Sequence, residues 1–373
     1  MNARRKILIA MSGGVDSSVA AALLRDAGHD VVGVFMRMGV HAEEAGDGIA
    51  GSTGSDGSAG SRSCCSAADA ADARVVARRL GIPFYVLNFA DAFAGLIDQF
   101  VAEYNAGRTP NPCVRCNSEL KFGRLFAYAD LIGADAVATG HYARVMSTPA
   151  GPRLARGLDA DKDQSYVLFA VAAAMLSRIV LPLGEWTKSA VRDRATRLGL
   201  PVADKPDSQE ICFVPDDDYA RLVRERSPGA FRPGAILDES GRVLGEHPGH
   251  QHFTIGQRRG LGVAMGRPMY VRAIDPTANT VTLAPAESLG RSDLTCSQVN
   301  WLDGAARVGA ERAEIPARVK IRYKAEPAAA AIRAIDADRV AVRFAEPAWA
   351  VTPGQAAVFY DDAGVVLGGG WID

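Results

Sequence analysis

Ala10-Met-Ser-Gly-Gly-Val-Asp-Ser-Ser18 is the stretch that fixes the fold class of this chain. Before it, Ile7-Leu-Ile-Ala10 is a short apolar run expected to form a buried strand, and after it Val19-Ala-Ala-Ala-Leu-Leu24 is expected to be helical. Strand, glycine-rich turn and helix together make an anion-binding arrangement. Gly13 and Gly14 let the backbone approach a phosphate, and the helix start offers unpaired N–H groups and a partial positive charge. Ser12, Ser17 and Ser18 add hydroxyl donors, and Asp16 is placed to hold a metal or a water. No lysine closes the turn, so the pattern is not G-x-x-x-x-G-K-[ST], and it is not G-x-G-x-x-G either.

The chain has 373 residues, enough for two or three domains. A net charge of -1 gives no global attraction to nucleic acid, so RNA contacts must come from local patches. The basic start Met1-Asn-Ala-Arg-Arg-Lys6 is followed by an apolar run that ends by Met11, too short for a signal peptide. No run is long enough to span a membrane, and a cytoplasmic protein is expected. Six cysteines in a reducing compartment point to catalysis, redox chemistry or metal binding rather than to structural disulfides.

The first ~200 residues alternate strand-like and helix-like runs, the pattern of a parallel sheet covered by helices. Further strands are expected at Asp30–Met36, Pro83–Leu87 and Ala134–Thr139, and helices at Ala67–Leu80, Phe93–Tyr104, Phe122–Leu131 and from the Thr187 cap to Leu198. Gly39 to Ser63 reads as a poorly packed insertion, and Gly107 to Ser118, with its prolines, as a loop. Ligands of such sheets sit beyond the carboxyl ends of the strands, which gathers the Ala10 loop, Met36 and Gly140 at one edge. Prolines at 201, 206 and 215 mark a change of character, after which short β-branched runs indicate a small module and a β-barrel. The expected domains are 1–207, 208–285 and 286–373.

Cys113 and Cys116 lie in Thr109-Pro-Asn-Pro-Cys-Val-Arg-Cys-Asn117, and Cys212 lies in Asp207-Ser-Gln-Glu-Ile-Cys-Phe213. Arg115 beside Cys116 favours a thiolate. A second C-x-x-C, which a four-cysteine zinc site would need, is missing. Cys64 and Cys65 are adjacent and unassigned, and Cys296 is expected to be a small core residue.

The Ser12–Ser17 loop resembles that of the N-type ATP pyrophosphatases. With Thr109-Pro-Asn-Pro, Ala138-Thr-Gly-His-Tyr-Ala-Arg144, Lys162-Asp-Gln-Ser-Tyr166 and Ile211-Cys-Phe213 in that order, the chain resembles the tRNA-specific 2-thiouridylase family. The likeness continues through Phe253-Thr-Ile-Gly-Gln-Arg-Arg-Gly-Leu-Gly262, Val319-Lys-Ile-Arg-Tyr323 and Thr352-Pro-Gly-Gln-Ala-Ala-Val-Phe-Tyr360.

The resemblance implies that Ala10, Met11, Ser12, Gly13, Gly14, Val15, Asp16 and Ser17, with Met36 and Gly140, bind ATP with Mg²⁺. It implies that Cys212 carries a persulfide received from an upstream sulfur carrier or cysteine desulfurase. Cys116 would be the partner nucleophile, closing a transient disulfide with Cys212. Asn111, Pro112 and Cys113 would lie against the target base. His141, Lys162, Asp163, Gln164, Arg322, Tyr323 and Gln355 would contact tRNA. The implied reaction adenylates the C2 oxygen of a wobble uridine and replaces it by sulfur. Some relatives carry Asp where this chain has Cys113, which leaves an acid/base role unfilled and creates a second possibility, an iron–sulfur cluster on Cys113, Cys116 and Cys212.

Overall fold

Ile7, Leu8, Ile9 and Ala10 form the buried centre of strand β1 (Lys6–Ala10) in the computed structural model. The structure describes residues 4–39, 66–207, 211–214 and 216–373; the insertion from residue 40 to 63, Cys64, Cys65 and Ser208 lie outside the described residues. From β1 the chain enters helix α1 (Val15–Asp26), strand β2 (Asp30–Arg37), helix α2 (Ala67–Leu80), strand β3 (Phe84–Asn88) and helix α3 (Ala90–Asn105). Helices α4 (Pro112–Arg115) and α5 (Leu125–Leu131) follow, then strand β4 (Ala136–Ala138), the hairpin β5 (Ala143–Thr148) and β6 (Gly151–Arg156), strand β7 (Ile179–Val180) and helix α6 (Lys188–Arg197).

The sheet order is β3-β2-β1-β4-β7 with every pairing parallel. Alternation along β1 decides what covers each face. Ile7 and Ile9 pack with α1, α2 and α6, whereas Leu8 and Ala10 pack with α3 and α5. A central strand buried on both faces has to be apolar throughout, as this one is. The expected doubly covered parallel sheet is therefore present.

The segment from Gly107 to Ser118 departs from expectation. Asn111 accepts from the Cys113 N–H at 3.2 Å and caps α4, with Pro112 at its first position. Proline there forfeits no hydrogen bond, because that N–H has no partner in a helix. From Cys116 to Arg124 the helix widens to a π-helix before α5, a form that is rare and concentrated at functional sites. Cys116 thus opens a wide helix and does not sit on a loop.

Helix α7 (Tyr219–Arg226) leads into a four-stranded sheet of β8 (Gly234–Leu237), β9 (Val243–His247), β10 (Tyr270–Asp275) and β11 (Thr280–Ala284), with a core of Ile236, Phe253, Val271, Val281 and Leu283. A closed barrel follows: β12 (Gly290–Trp301), helix α8 (Gly304–Arg312), β13 (Ile315–Lys320), β14 (Ala328–Ala334), β15 (Val340–Trp349), β16 (Ala356–Tyr360) and β17 (Val366–Ile372). Closure leaves no exposed edge. Cys296 is fully buried in β12, and burial pushes its thiol pKa up, as suits a core residue. Ala356, Val358 and Tyr360 of the barrel join the core built by α3 and α5, so barrel and parallel sheet share one interior.

Candidate active site

The turn after β1 is built as an open anion cradle. Gly13 has φ +73°, and a Cβ there would stand 2.2 Å from the Asp69 carbonyl oxygen. Gly14 starts α1 with no side-chain cap, which leaves first-turn N–H groups for a ligand. Ser17 Oγ accepts from the Ser12 N–H at 3.1 Å, and Ser18 Oγ donates to the Gly14 carbonyl at 2.7 Å, so the serines hold the turn in shape. Gly140, after β4, lies against this turn: a Cβ there would be 2.7 Å from Ser17 N. Its contribution is close packing beneath the loop. Met36 sits partly buried at the end of β2, and Met11 is buried.

A cleft of about 800 Å³ opens beside the turn. Ser12, Gly14, Val15 and Asp16 line one wall; Lys162, Asp163, Gln164 and Tyr323 line another. Four of the expected nucleotide residues and four of the expected tRNA residues therefore share one cavity.

Several residues that sequence reasoning did not single out organise this cleft. Lys188 Nζ donates to Asp16 Oδ1 and Oδ2 at 2.7 and 2.8 Å. The same ammonium stands 2.7 Å from Asp207 Oδ1. Asp207 also receives Lys162 at 3.0 Å and Arg192 at 2.9 Å. Burial raises the Asp207 pKa, but the bonds from Lys188 and Lys162 outweigh it and hold the carboxyl below its ordinary value. Tyr142 donates to Asp16 at 2.7 Å; burial, then Asp16, pushes this hydroxyl far above its usual range, so it stays a donor. Lys205 reaches Asp69 and Asp72, both at 2.6 Å, and the Gly13 carbonyl at 3.0 Å. Burial works against its charge, yet those carboxylates raise its pKa.

The cysteine segments flank the α3 core. Cys212 and Cys116 both pack on it, each partly exposed, while Cys113 is exposed. Phe213 anchors the Cys212 turn edge-on against Phe93 and Phe100, with ring centroids at 5.6 and 5.1 Å. The Thr109–Pro112 loop is clamped to the barrel: Thr109 N donates to the Pro353 carbonyl at 2.9 Å, and Gln355 Nε2 donates to the Thr109 carbonyl at 2.8 Å. Arg115 lies over Trp371, its guanidinium 5.0 Å from the ring. Asn111 and Pro112 line a second, small cavity between α3 and the barrel.

The remaining candidates divide by exposure. Tyr323 is exposed at the cleft; burial of part of its ring, then the charges of Asp163 and Cys113, raise its pKa. Arg322 donates to the Ala350 carbonyl and to Thr352, and lies over Trp349. Asp163 is buried and accepts from Arg156, Gly157 N and Ser165. His141 is 7% exposed, hydrogen-bonded to Thr139 at 2.6 Å and set beside Phe122. Burial, with Lys121 adding, holds its pKa well below 6.5, so the ring is neutral. Among the described residues no three His, Cys, Asp or Glu side chains stand together as a metal site. None of the described helices is long and apolar enough to cross a membrane.

Family models match three successive segments of the chain. Residues 5–216 match a tRNA methyl transferase HUP domain, residues 225–285 a tRNA methyl transferase PRC-barrel domain, and residues 291–372 an aminomethyltransferase beta-barrel domain. The tRNA-specific 2-thiouridylase MnmA of Heliobacterium modesticaldum is 47% identical over 98% of this chain and 92% of its own length. Proteins of the same name from Clostridium perfringens and Carboxydothermus hydrogenoformans are 45% and 47% identical, each over 99% of this chain and 99% and 98% of theirs. With this identity running over nearly the whole length of the chain, the chain belongs to the tRNA-specific 2-thiouridylase family.

Proposed function

We propose that the chain thiolates the wobble uridine, U34, of tRNA in an ATP-dependent reaction that yields 2-thiouridine, AMP and pyrophosphate. The observation that carries this is the shared cleft, where the uncapped turn of α1 faces Lys162, Gln164 and Tyr323. ATP would lie with its phosphates on the Ser12–Ser17 turn. A uracil C2 carbonyl is a poor electrophile, and adenylating its oxygen makes AMP the leaving group. The terminal sulfur of a Cys212 persulfide attacks C2 and AMP departs. Cys116 thiolate then attacks Cys212 Sγ, the sulfur–sulfur bond breaks, and the sulfur stays on C2. The resulting Cys116–Cys212 disulfide is reset by a thiol reductant, and an upstream persulfide carrier reloads Cys212. A base in an anticodon loop is already unpaired, so presenting it to the cleft costs at most a few kcal/mol.

Mg²⁺ suits the cleft chemically. It is held by one or two carboxylates together with substrate phosphates; Asp16 and Asp69 line the cleft beside the turn, each bound to a lysine that the ion would have to displace. It would neutralise phosphate charge there. Cys116 and Cys212 both pack on the core around α3, and this supports the persulfide route. The test is pyrophosphate release from ATP with and without unmodified tRNA, combined with mass spectrometry of the wobble nucleoside. Release that requires tRNA, together with 2-thiouridine, supports the reading. Thiolation without ATP cleavage, or ATP cleavage indifferent to tRNA, overturns it.

A further inference from the structure

Adenylating a uracil on its C2 oxygen has a proton requirement. The C2–O π pair goes to form the bond to phosphorus, and the ring stays neutral only if N3 loses its proton and a C2=N3 double bond forms. The thionated product carries that proton again. A group beside the base must therefore accept a proton and later return it.

Most titratable groups of the cleft are already engaged. Asp16 and Asp207 share Lys188, Asp69 and Asp72 share Lys205, and Asp163 is held by Arg156 and Ser165. Lys162 is paired with Asp207. Asp161, Lys324 and Glu326 are exposed to water. Lys320 differs from all of these. It ends β13, lines the cleft, and is only 4% exposed. Its Nζ lies 6.0 Å from the centroid of the Tyr166 ring and 5.9 Å from that of Tyr323. Among the described residues it makes neither a hydrogen bond nor an ion pair. A lysine with a buried stem, its tip held only by two aromatic rings at a substrate cleft, is suited to proton exchange rather than to a salt bridge.

We propose that Lys320 is the proton acceptor for uracil N3 during adenylation and the donor that returns the proton once sulfur is in place. This rests on the adenylation reading above. The Nζ lone pair takes the N3 proton as the C2 oxygen attacks the α-phosphorus and pyrophosphate leaves. When the sulfur–sulfur bond to Cys212 breaks, the pair released onto the C2 sulfur becomes a thiocarbonyl, and N3 is reprotonated from the Lys320 ammonium. The groups that set the Lys320 charge fit the role. Burial lowers its pKa and Asp163 raises it; Arg156 lowers it again and Glu326 raises it, with a net shift below 10.5.

The test measures tRNA-dependent pyrophosphate release against pH for the wild-type protein, K320M and K320R, alongside tRNA affinity and melting temperature. Methionine preserves the packing, and arginine preserves the charge but cannot act as a base. Both variants are expected to bind tRNA and ATP near wild-type strength while release falls about 10²- to 10⁴-fold. The wild-type rise of rate with pH is expected to lose its lowest apparent pKa in both, and small primary amines are expected to restore part of the K320M rate. Wild-type release by K320M overturns the proposal, and so does full activity of K320R, which would reduce Lys320 to a fixed charge. If the wild-type protein releases no pyrophosphate with tRNA, the adenylation reading itself falls and the Lys320 role with it.

Discussion

Asp16 of the turn after β1 and Asp207 of the segment leading to Cys212 hold the same ammonium: Lys188 Nζ is 2.7 Å from a carboxylate oxygen of each. One cation therefore ties the turn after β1 to the segment that leads to Cys212. Its removal leaves two carboxylates facing the place where phosphates would sit. Lys188→Met is expected to weaken ATP binding about 10- to 100-fold, the scale of one charged hydrogen-bonding group worth roughly 1.5–3 kcal/mol. Lys188→Arg should recover part of this. Isothermal titration with ATP checks it, and unchanged affinity in the methionine variant would refute the bridging role.

Gly140 has no room for a side chain, since a Cβ there would meet Ser17 N at 2.7 Å and the Asp16 carbonyl carbon at 2.9 Å. Gly140→Ala is expected to push β4 and the turn apart, costing about 1–3 kcal/mol of stability as overpacking does. ATP binding should fall with it. Thermal denaturation and ATP titration on the same sample separate this from a role in contact with ATP alone, which would leave the melting temperature unchanged.

His141 gives a signed pH prediction. Its folded pKa lies well below 6.5 because burial disfavours the charged ring. Below that value the unfolded chain takes up a proton that the folded chain refuses, so His141 subtracts stability as pH falls under about 6.5 and contributes no slope above it. His141→Gln should flatten this part of the stability–pH curve. Asp207 adds a second acid-side loss at lower pH, because its folded pKa is depressed and its contribution vanishes as the pH falls through that value. Denaturant titrations between pH 5 and 8 isolate the histidine part; an unchanged slope in the glutamine variant contradicts it.

The Thr109 loop depends on the barrel. Gln355→Ala removes the donor to the Thr109 carbonyl and is expected to cost about 1 kcal/mol locally. Thiolation should fall several-fold while ATP affinity stays unchanged. Equal thiolation rates would show that the clamp is not needed to present Asn111 and Cys113.

What the sequence disclosed was local. The turn from Ala10 to Ser18, the strand before it and the helix after it are contiguous, and their chemistry follows from glycine, serine and a helix start. Lys188, Lys205 and Asp207 were not legible, because their partners are brought to them by the fold. The Lys188–Asp16 contact spans 172 residues and the Lys205–Gly13 contact 192. The clue available was Lys205-Pro-Asp207 directly before the Cys212 motif. The helix at Pro112 departs from the loop expected for Gly107 to Ser118, because proline at a first helical position costs no hydrogen bond. His141, expected at the tRNA surface, is buried, because the residue after Gly140 turns in toward Phe122.

Sulfur transfer from Cys212 resolved by Cys116 passes through a covalent protein–tRNA intermediate that can be trapped. Persulfide-loaded Cys116→Ser protein is mixed with ATP and unmodified tRNA, and covalent protein–tRNA adducts are quantified by intact-mass spectrometry before and after thiol reduction. The account predicts a reducible adduct through Cys212 in this variant, none in Cys212→Ser, and no 2-thiouridine from either until reductant is added to the first. Multiple turnovers of 2-thiouridine from either serine variant would contradict it.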